Sequence, residues 1–395
     1  MARLVTRVLV LAIFGLLASV EANVEEDELV ATVVLFRHGD RAPLKSFPND
    51  KYSDEKYWPK GIGQLVNAGK YRAYQLGKYL RHRYHTFLSD DYKYKEISVI
   101  SSNIDRAIMT AELVLAGLYP PTKEDIWFKN LLWQPIPVHT MQTDNDNLIQ
   151  MEASCPKYDT LLEKITKMPE FEEVKQRYSD MFKTIAENTG WTNVDIETVK
   201  SLFCTMYVYS KHNPSYIPEW YTKLNQKSLK NIAGLAFAIP TYTKEMQRLR
   251  TGPFFNYLIN HLDGAVKGEK QKFLAISGHD STIASVLSTL NCYSFEPPEF
   301  TATVFWEVYK TNSGDHYVNL LYKKNSESEA ELIQLDNCKS NATLDELIAV
   351  LSPILTSEEQ WRHDCFDSTS AAGSRIIDSR FLIITVIVLY VNKYL

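Results

Sequence analysis

Two arginines flank a histidine in the stretch Arg37-His38-Gly39-Asp40-Arg41-Ala42-Pro43. A nearly continuous apolar run at residues 29–36 precedes it, and such a run is typical of a strand buried on both faces of a parallel sheet. The cations therefore follow the carboxyl end of a strand, which is where ligands bind in open α/β sheets. Guanidinium groups beside a histidine at this edge favour a compact dianion, and phosphate is the first candidate.

A second strand end carries another arginine. Residues 97–102 are typical of a strand, and residues 105–118 predict the helix that follows it, with Ser102 or Asn103 as its N-cap. Arg106 then lies in the first helical turn, where free backbone amides already favour an anion. Its position after a buried strand matches that of His38, which is why we assign it to the same site.

The third strand end is followed by His279 and Asp280. Residues 272–277 predict a strand, and residues 281–290 predict the next helix. If the three strand ends converge, they assemble one site. Its predicted members are Arg37, His38, Arg41, Arg106, His279 and Asp280.

These residue types fit the hydrolysis of a phosphate monoester. A neutral ring nitrogen of His38 can attack phosphorus to give a covalent phosphohistidine, while the arginines bind the equatorial oxygens. Asp280 is the candidate general acid for the leaving alcohol, because a phosphate anion nearby raises the pKa of a carboxyl group. A carboxylic acid in this role predicts an acid pH optimum.

The remaining elements predict an α/β fold: a mainly parallel central sheet flanked by helices, with an inserted, mostly helical cap. Residues 64–84 predict a further helix, and 301–310 with 316–324 an antiparallel hairpin at the sheet edge. Residues 23–150 and 261–365 form the predicted catalytic domain, and residues 151–260 the cap. Long helical patterns fill the cap region, at 158–188, 195–211, 228–250 and 254–266.

Both termini carry sorting signals. Residues 1–22 have the basic start, apolar centre and small-residue end of a secretory signal peptide. At the other end, residues 366–395 contain a small-residue cluster and an apolar run at 381–391, which is shorter than the roughly 20 residues of a spanning helix. A cleaved lipid-anchor signal, a short membrane segment and a plain hydrophobic end all fit this tail.

Charge and cysteine content narrow the class further. The net charge of -5 comes from 43 basic and 48 acidic residues that are well mixed, so no nucleic-acid footprint is present. The 5 cysteines lack the close spacing of a zinc site, and in a secreted chain they favour two bridges and one leftover thiol. One sequon, at Asn341, fits the glycosylation pattern.

The stretch at 37–43, together with the distant Ser277-Gly278-His279-Asp280, resembles the histidine acid phosphatase family, the group of prostatic, lysosomal and insect venom acid phosphatases. The resemblance runs from about residue 29 to about residue 365 and includes the segments at 63–65 and 101–106. The seven-residue motif is highly specific, and its pairing with the His-Asp dipeptide makes chance agreement remote.

The resemblance implies His38 as nucleophile, Asp280 as proton donor and four phosphate ligands. Those ligands are Arg37, Arg41, Arg106 and His279. It further implies no metal or other cofactor, inhibition by tartrate, and homodimers. It also implies the bridges Cys155–Cys365 and Cys204–Cys292. Cys338 stands where a third, short bridge of the family begins, but Ala342 occupies the partner position, so Cys338 is either free or intermolecular.

Three other functions also fit parts of this sequence. A metallophosphatase would use His38, Asp40, His279 and Asp280 as ligands, but further ligands at motif spacing are missing. A phosphoglycerate-mutase-like enzyme shares the arginine-histidine logic, yet the signal peptide and Asp280 argue against it. A secreted binding protein without turnover is the third rival.

The substrate is not readable from the motifs, which recognise only the phosphoryl unit. Small phosphomonoesters and phosphoproteins both fit, and so does an enzyme specialised for inositol phosphates or lysophospholipids, phytate being less favoured. The expected location is the secretory pathway; an extracellular, a lysosomal and a membrane-anchored protein all fit the sequence.

Overall fold

The computed structural model describes residues 27–44, 46–333 and 342–366. Several predicted features lie outside the described residues: the signal peptide at 1–22, Cys338, the sequon at Asn341 and the apolar run at 381–391. None of the helices in the described ranges is both long and apolar enough to cross a membrane.

A single sheet of eight strands is the centre of the described chain. The strands are β1 (Glu28–Arg37), β2 (Ile97–Ser101), β3 (His139–Thr140), β4 (Phe273–Gly278), β5 (Thr303–Lys310), β6 (His316–Lys323), β7 (Ala330–Leu332) and β8 (Ala342–Thr343). Their order is β3-β2-β4-β1-β5-β6-β7, with β8 paired to β6. The strands β3, β2, β4 and β1 are mutually parallel, and the predicted β5–β6 hairpin extends the sheet in antiparallel fashion.

Twelve α-helices surround this sheet in the described ranges. They are α1 (Asn67–Arg83), α2 (Asp105–Leu118), α3 (Pro156–Thr166), α4 (Pro169–Arg177), α5 (Ser179–Thr189), α6 (Ile196–His212), α7 (Glu219–Thr222), α8 (Gln226–Ala238), α9 (Lys244–Val266), α10 (Asp280–Thr289), α11 (Leu344–Leu351) and α12 (Glu358–Phe366). The predicted α/β class, with a central sheet between helices, is confirmed.

The sequence of β1 explains why it occupies the middle of the sheet. Successive side chains of a strand point to opposite faces, and both faces of β1 are apolar. Val34 and Phe36 pack in the core with α1 and α2, whereas Val33 and Leu35 pack in the larger core with α9, α10 and the cap helices. A strand buried in this way fixes the position of the residues that follow it.

Helices α3 to α8 form the helical region above one side of the sheet. A disulfide between Cys155, before α3, and Cys365, in α12, ties this region to the C-terminal helix across 210 residues. The bridge between these two cysteines is therefore present. The boundary that we predict at residue 260 falls inside α9, which packs against β1.

The long helical patterns are broken in two places where we predict continuity. Residues 158–188 form three helices, and Pro169 opens the second of them, since proline fits the first helical turn but not the interior. Residues 228–250 are interrupted at Ile239–Thr241 by a short 3₁₀ turn that contains Pro240. Residues 244–266, by contrast, form one helix.

Helix α9 contains Pro253 and still continues as a single helix of 23 residues. Proline lacks the N–H that would bond to the carbonyl four residues earlier, which here is Leu249. The indole Nε1 of Trp361, in α12, donates to that carbonyl at 2.7 Å. A residue more than a hundred positions away thus satisfies the oxygen that the proline leaves open.

The structure does not join Cys204 to Cys292, so the predicted bridge between these two residues is not formed. Cys204 lies in α6, and its side chain lines a cavity. The sulfur of Cys292 is directed to the carbonyl of Leu290 at 3.2 Å, in the turn that ends α10. The two cysteine side chains therefore have different surroundings and do not contact each other through a bridge.

Candidate active site

The parallel register brings the three predicted strand ends to one edge of the sheet. Arg37, the last residue of β1, lies beside Gly278 of β4, and Ser101 of β2 lies beside Ser277 of β4. Side chains that follow these strands therefore emerge next to one another. The structure brings together all six predicted residues, which are Arg37, His38, Arg41, Arg106, His279 and Asp280.

The imidazole of His38 is buried and held in one orientation. Its Nδ1 lies 2.8 Å from the carbonyl oxygen of Gly39, and because that oxygen can only accept, Nδ1 carries the proton. A neutral ring then has its lone pair on Nε2. Burial lowers the pKa of His38 well below its usual value, and the positive charges of Arg37, Arg106 and Arg41 lower it further. The ring is therefore neutral and nucleophilic.

Close backbone packing fixes the loop after His38. The amide of Gly39 donates to Thr110 Oγ1 at 3.1 Å, and this hydroxyl donates in turn to the carbonyl of Arg106 at 2.7 Å. A side chain at Gly39 would place its Cβ 2.4 Å from the carbonyl oxygen of Gly69. Glycine at this position thus lets the motif loop contact helix α1 directly. The hydrogen bonds through Thr110 fix the position of the loop after His38 relative to Arg106.

Three guanidinium groups meet at the site with few protein partners. Arg37 donates from Nη1 to the carbonyl of Pro298 at 2.5 Å and stacks on Phe300, with Cζ 4.2 Å from the ring centre. Arg41 donates to the carbonyl of Ala42 at 3.0 Å. Burial lowers the pKa of Arg41 to about 10, so this group is protonated at acid and neutral pH.

The Nε atom of each of these three guanidiniums, in Arg37, Arg41 and Arg106, is buried without a hydrogen-bond partner. Buried polar groups are otherwise almost always paired. An arrangement of several cations with unused donors is what a multiply charged anion would complete.

Among the described residues, Asp280 is the only carboxylate within hydrogen-bond distance of these cations. Its Oδ2 lies 2.7 Å from Arg37 Nη2, and its Oδ1 accepts from the Ser281 amide at 2.9 Å. Burial raises the pKa of Asp280, but Arg37, Arg41, His279 and the amide outweigh it and lower the pKa to about 2. Without an anion in the site, Asp280 is thus ionised.

His279 opens helix α10 and is held by the strand next to its own. Its Nε2 lies 2.8 Å from Ser102 Oγ, which follows β2, and its amide donates to Thr282 Oγ1 at 3.2 Å. Burial lowers the pKa of His279 to about 3, with Arg106 adding to the effect. The ring is therefore neutral and can donate one hydrogen bond to an anion.

The bond to His279 also corrects the predicted N-cap of α2. We predict Ser102 or Asn103 in that role, whereas the cap position is Ile104 and no side chain caps the helix. The hydroxyl of Ser102 serves the active site instead. Thr110, Phe300 and Pro298 were missed as well, because nothing in their own sequence neighbourhoods indicates contact with the motif at 37–43.

Two cavities meet at Asp280. The first, which we name the cationic cavity, has a volume of about 390 Å³ and includes Arg41, Arg106 and His279. The second, the aromatic cavity, has a volume of about 280 Å³ and includes Arg37, Phe203 and Tyr207. The two share three lining residues, Cys204, Phe237 and Asp280. A molecule bound at Asp280 can therefore extend in either direction.

Metal binding would need several ligands of the right type close together. No group of three or more histidine, cysteine, aspartate or glutamate side chains in the described part of the chain is placed to hold a metal ion. Asp40, a ligand in the metallophosphatase alternative, is fully buried and bound by Arg72, with His212 Nε2 3.5 Å away. Catalysis without a metal stays a prediction.

The sequence matches the family model described as histidine phosphatase superfamily (branch 2) over residues 28–323. Prostatic acid phosphatase of Bos taurus is 31% identical over 366 residues, which cover 91% of this chain and 93% of that relative. Lysosomal acid phosphatase of Xenopus laevis is 31% identical over 356 residues, which cover 89% of this chain and 82% of the relative.

Solved structures with a similar fold include two phytases. The phytase of Citrobacter braakii has a TM-score of 0.64 at 18% identity, covering 83% of this chain and 98% of that one. The Hafnia alvei phytase in complex with tartrate has a TM-score of 0.65 at 16% identity, covering 83% and 97%. At this level of identity the likeness shows a shared fold.

Proposed function

This chain belongs to the histidine phosphatase superfamily, branch 2, and from that premise we propose that it is an acid phosphatase that hydrolyses phosphate monoesters through a phosphohistidine on His38. One observation carries the proposal. The Nδ1 of His38 is committed to the Gly39 carbonyl while three guanidiniums with unused donors surround the ring. The lone pair of Nε2 is therefore free to act as a nucleophile, and the three guanidinium groups around the ring are suited to bind an anion.

In the first half-reaction, Nε2 of His38 attacks phosphorus and the P–O bond to the leaving alcohol breaks. Arg37, Arg41 and Arg106 bind the equatorial oxygens and offset their charge during in-line transfer. His279 donates a further hydrogen bond. Each charged hydrogen bond of this kind contributes about 1.5 to 3 kcal/mol.

Asp280 protonates the leaving oxygen. Arg37 keeps the carboxyl group of Asp280 ionised, so substrate binding has to raise the pKa of this group before it can donate a proton. A phosphate dianion that takes up the donors of Arg37 and Arg41 weakens their hold on Asp280 and adds a like charge beside it, and both effects raise the pKa of its carboxyl group. Substrate binding and mild acid thus act together to protonate Asp280.

In the second half-reaction, water attacks phosphorus and the P–N bond to His38 breaks. Asp280, now a carboxylate, accepts the proton of the attacking water. Inorganic phosphate leaves, and the neutral ring of His38 is restored. The atoms and charges balance without a metal or another cofactor.

The carboxylates near the cationic cavity bear on the substrate. Glu152 and Glu197 line it together with Lys200, to which Glu197 is paired at 2.5 Å. Because Lys200 offsets the charge of Glu197, it is the carboxylate of Glu152 that disfavours a leaving group with several further phosphates. We therefore favour simple monoesters over specialisation for inositol phosphates, and turnover over binding alone because every group of the mechanism is present.

Location and assembly follow the same premise. The signal peptide pattern and the similarity to prostatic and lysosomal acid phosphatases support a route through the secretory pathway. The tail supports anchoring to a membrane only as a sequence signal. A homodimer is supported by a run of exposed apolar side chains at 126–133, among them Trp127, Phe128 and Leu132, which are 57%, 55% and 68% exposed.

Trapping the intermediate tests the proposal. The protein is mixed with an aryl phosphate at mildly acid pH, quenched in alkali and digested, and the peptide that contains His38 is examined for an acid-labile phosphate. Turnover of several monoesters is measured in parallel with chelator and with tartrate. Phosphate on His38 and chelator-resistant turnover support the mechanism. Chelator-sensitive turnover without a phosphorylated His38 contradicts it.

A further inference from the structure

The aromatic cavity starts at the catalytic groups and leads away from them along a row of rings. Phe300 lies 6.0 Å from the His38 ring and under the Arg37 guanidinium. Tyr207 follows at 5.5 Å from Phe300, and Phe203 at 6.5 Å from Tyr207 with the two ring planes 11° apart. Phe203 and Tyr207 both line the cavity, as do Arg37 and Asp280. A planar leaving group that extends from Asp280 into this cavity would contact the rings of Tyr207 and Phe203.

The outer end of this cavity is positively charged. Lys211 and Lys324 line it, both are exposed, and neither has a carboxylate partner at salt-bridge distance in the described ranges. The Nζ of Lys211 lies 5.3 Å from the ring centre of Tyr207, so its charge is at the end of the ring row. These two ammonium groups are available to a ligand.

The acidic residues of the aromatic cavity already have other partners. Glu296 is paired with Lys230 at 2.7 Å. Glu299 accepts hydrogen bonds from Asn325 Nδ2 at 3.1 Å and from the Tyr207 hydroxyl at 3.4 Å. In the cationic cavity, Glu197 is likewise paired with Lys200, but Glu152 has no salt bridge among the described residues and would repel an anionic leaving group. An anion beyond the scissile ester is therefore better accommodated on the aromatic side.

We propose that the aromatic cavity receives the leaving group, and that it selects aryl phosphates that carry a second anionic group, such as a carboxylate, within reach of Lys211 and Lys324. This inference rests on the proposed function, since it assigns the substrate class of the same site. The rings of Phe203 and Tyr207 bind the aryl group by stacking. Asp280 stands at the junction of the two cavities, where it meets the bridging oxygen between phosphoryl and aryl groups.

The expected selectivity is modest because both lysines are exposed. Solvent-exposed ion pairs contribute about 0.2 to 1 kcal/mol each, so the two lysines together should favour a carboxylate over a neutral amide by about two- to thirtyfold. This preference should fall as salt is added, because screening weakens exposed charge pairs.

Binding of non-hydrolysable phosphonates tests the inference without requiring turnover. The probes are para-(phosphonomethyl)phenylpropionate and its propionamide, which differ only in the distal charge, and their dissociation constants are measured by calorimetry. The wild-type protein should bind the carboxylate more tightly, and the variant Lys211→Gln/Lys324→Gln should bind both equally. Lys227→Gln, an exposed lysine of α8 that does not line the cavity, is the matched control and should keep the preference.

Two further variants separate this cavity from its neighbour. Phe203→Leu should weaken both aryl phosphonates about equally relative to methylphosphonate. Lys200→Gln, in the cationic cavity, should leave the carboxylate-to-amide ratio unchanged. Equal binding of the two probes by the wild-type protein overturns the inference, and so does a ratio that follows Lys200 instead of Lys211 and Lys324.

The proposed function and this inference fail differently. If glycerol phosphate is hydrolysed through His38 while the two phosphonates bind alike, the phosphatase mechanism stands and the assignment of the aromatic cavity is refuted. If the phosphonates show the lysine-dependent preference while no ester is turned over, the cavity assignment stands and the hydrolytic mechanism is refuted.

Discussion

Two clusters of buried charge lie on the same sheet, and they are built in opposite ways. At the active site, three arginines meet one carboxylate, and their Nε atoms have no partner. Elsewhere on the sheet, Glu307 of β5 is 1% exposed and accepts from Arg83 Nε at 2.7 Å and Nη2 at 2.9 Å. The hydroxyls of Tyr84 and Tyr309 donate to the same carboxylate at 2.8 and 2.9 Å.

The difference shows how a fold separates stability from function. Every oxygen lone pair that Glu307 can offer has a donor nearby, and Arg83 also stacks on Tyr84 and Phe305, so that this cluster is complete within the protein. In the cluster around His38, burial lowers the pKa values of His38 and His279, and an excess of positive charge lowers them further. This cluster is completed only by an anion. Substitutions should therefore affect turnover in one cluster and stability in the other.

The largest effect is expected from His38→Ala. Removing a covalent nucleophile lowers the rate by on the order of 10⁵-fold or more, while the protein should remain folded because His38 forms no ion pair. Steady-state turnover of an aryl phosphate is measured beside circular dichroism and inorganic phosphate binding. Wild-type turnover in this variant would exclude His38 as the nucleophile.

Asp280→Asn should separate substrates by their leaving groups. Loss of a general acid slows reactions by about 10²- to 10⁴-fold. The rate of alkyl phosphate hydrolysis should fall by nearly this full factor, whereas the rate for nitrophenyl phosphate should fall little, because its leaving group needs no proton. Rates for both esters are compared at the same pH. Equal slowing of the two would show that Asp280 acts by positioning rather than by proton transfer.

Glu307→Ala should lower the stability of the protein and leave its turnover unchanged. It leaves Arg83 and two tyrosine hydroxyls without their acceptor, and breaking a buried ion pair in this way lowers the free energy of unfolding by about 3 to 5 kcal/mol. The rate per folded molecule should not change. Urea unfolding and active-site titration measure the two quantities, and Glu307→Gln, which keeps an acceptor for the hydroxyls, is the milder control. A large loss of rate with normal stability would contradict the comparison.

The smallest effect is a pH dependence of stability. The pKa of His279 is about 3 in the folded protein and about 6.5 in the unfolded chain. Between these values the unfolded chain binds the additional proton, so the free energy of unfolding decreases on acidification from about pH 6.5, by at most about 1.4 kcal/mol per pH unit for this residue.

Inorganic phosphate should reduce that dependence, because an anion beside His279 favours its protonated form. His261 supplies the control: burial lowers its pKa to about 4, and its Nε2 bonds to the Gln271 carbonyl at 2.9 Å, away from the site. The variant His261→Gln should flatten the pH dependence in buffer with or without phosphate. Urea unfolding across this pH range would detect both effects, and a slope at His279 that phosphate does not alter would argue against an anion site there.

Much of the site could be predicted because its residues follow strands that the sequence marks clearly. The apolar runs that become β1, β2 and β4 are each followed at once by a polar group, and parallel strands necessarily end at a common edge. The helix at Asp105–Leu118 was predicted with the bounds that the structure has. These features depend on neighbours in sequence, which local patterns record.

Features that depend on distant partners could not be predicted. The sequence predicts Ser102 as a possible helix cap, but its hydroxyl forms a hydrogen bond with a histidine 177 residues away. The interior proline of α9 is tolerated because Trp361 reaches Leu249, and neither residue indicates this alone. The bridge between Cys204 and Cys292, which the family resemblance implies, is likewise not formed, since the pairing of two cysteines depends on their geometry in this particular fold.

The sequence by itself determined which edge of the sheet carries the candidate site: residue types, their order and the strands before them place a histidine, three arginines and an aspartate together. Only the tertiary structure decided what surrounds that edge. It places Phe300 under Arg37, gives Glu307 its four donors, and divides the space beside Asp280 into a cationic and an aromatic cavity. The physical reason is that a strand pattern is a local property of the chain, whereas the shape and charge of a cavity come from side chains that folding alone brings into contact.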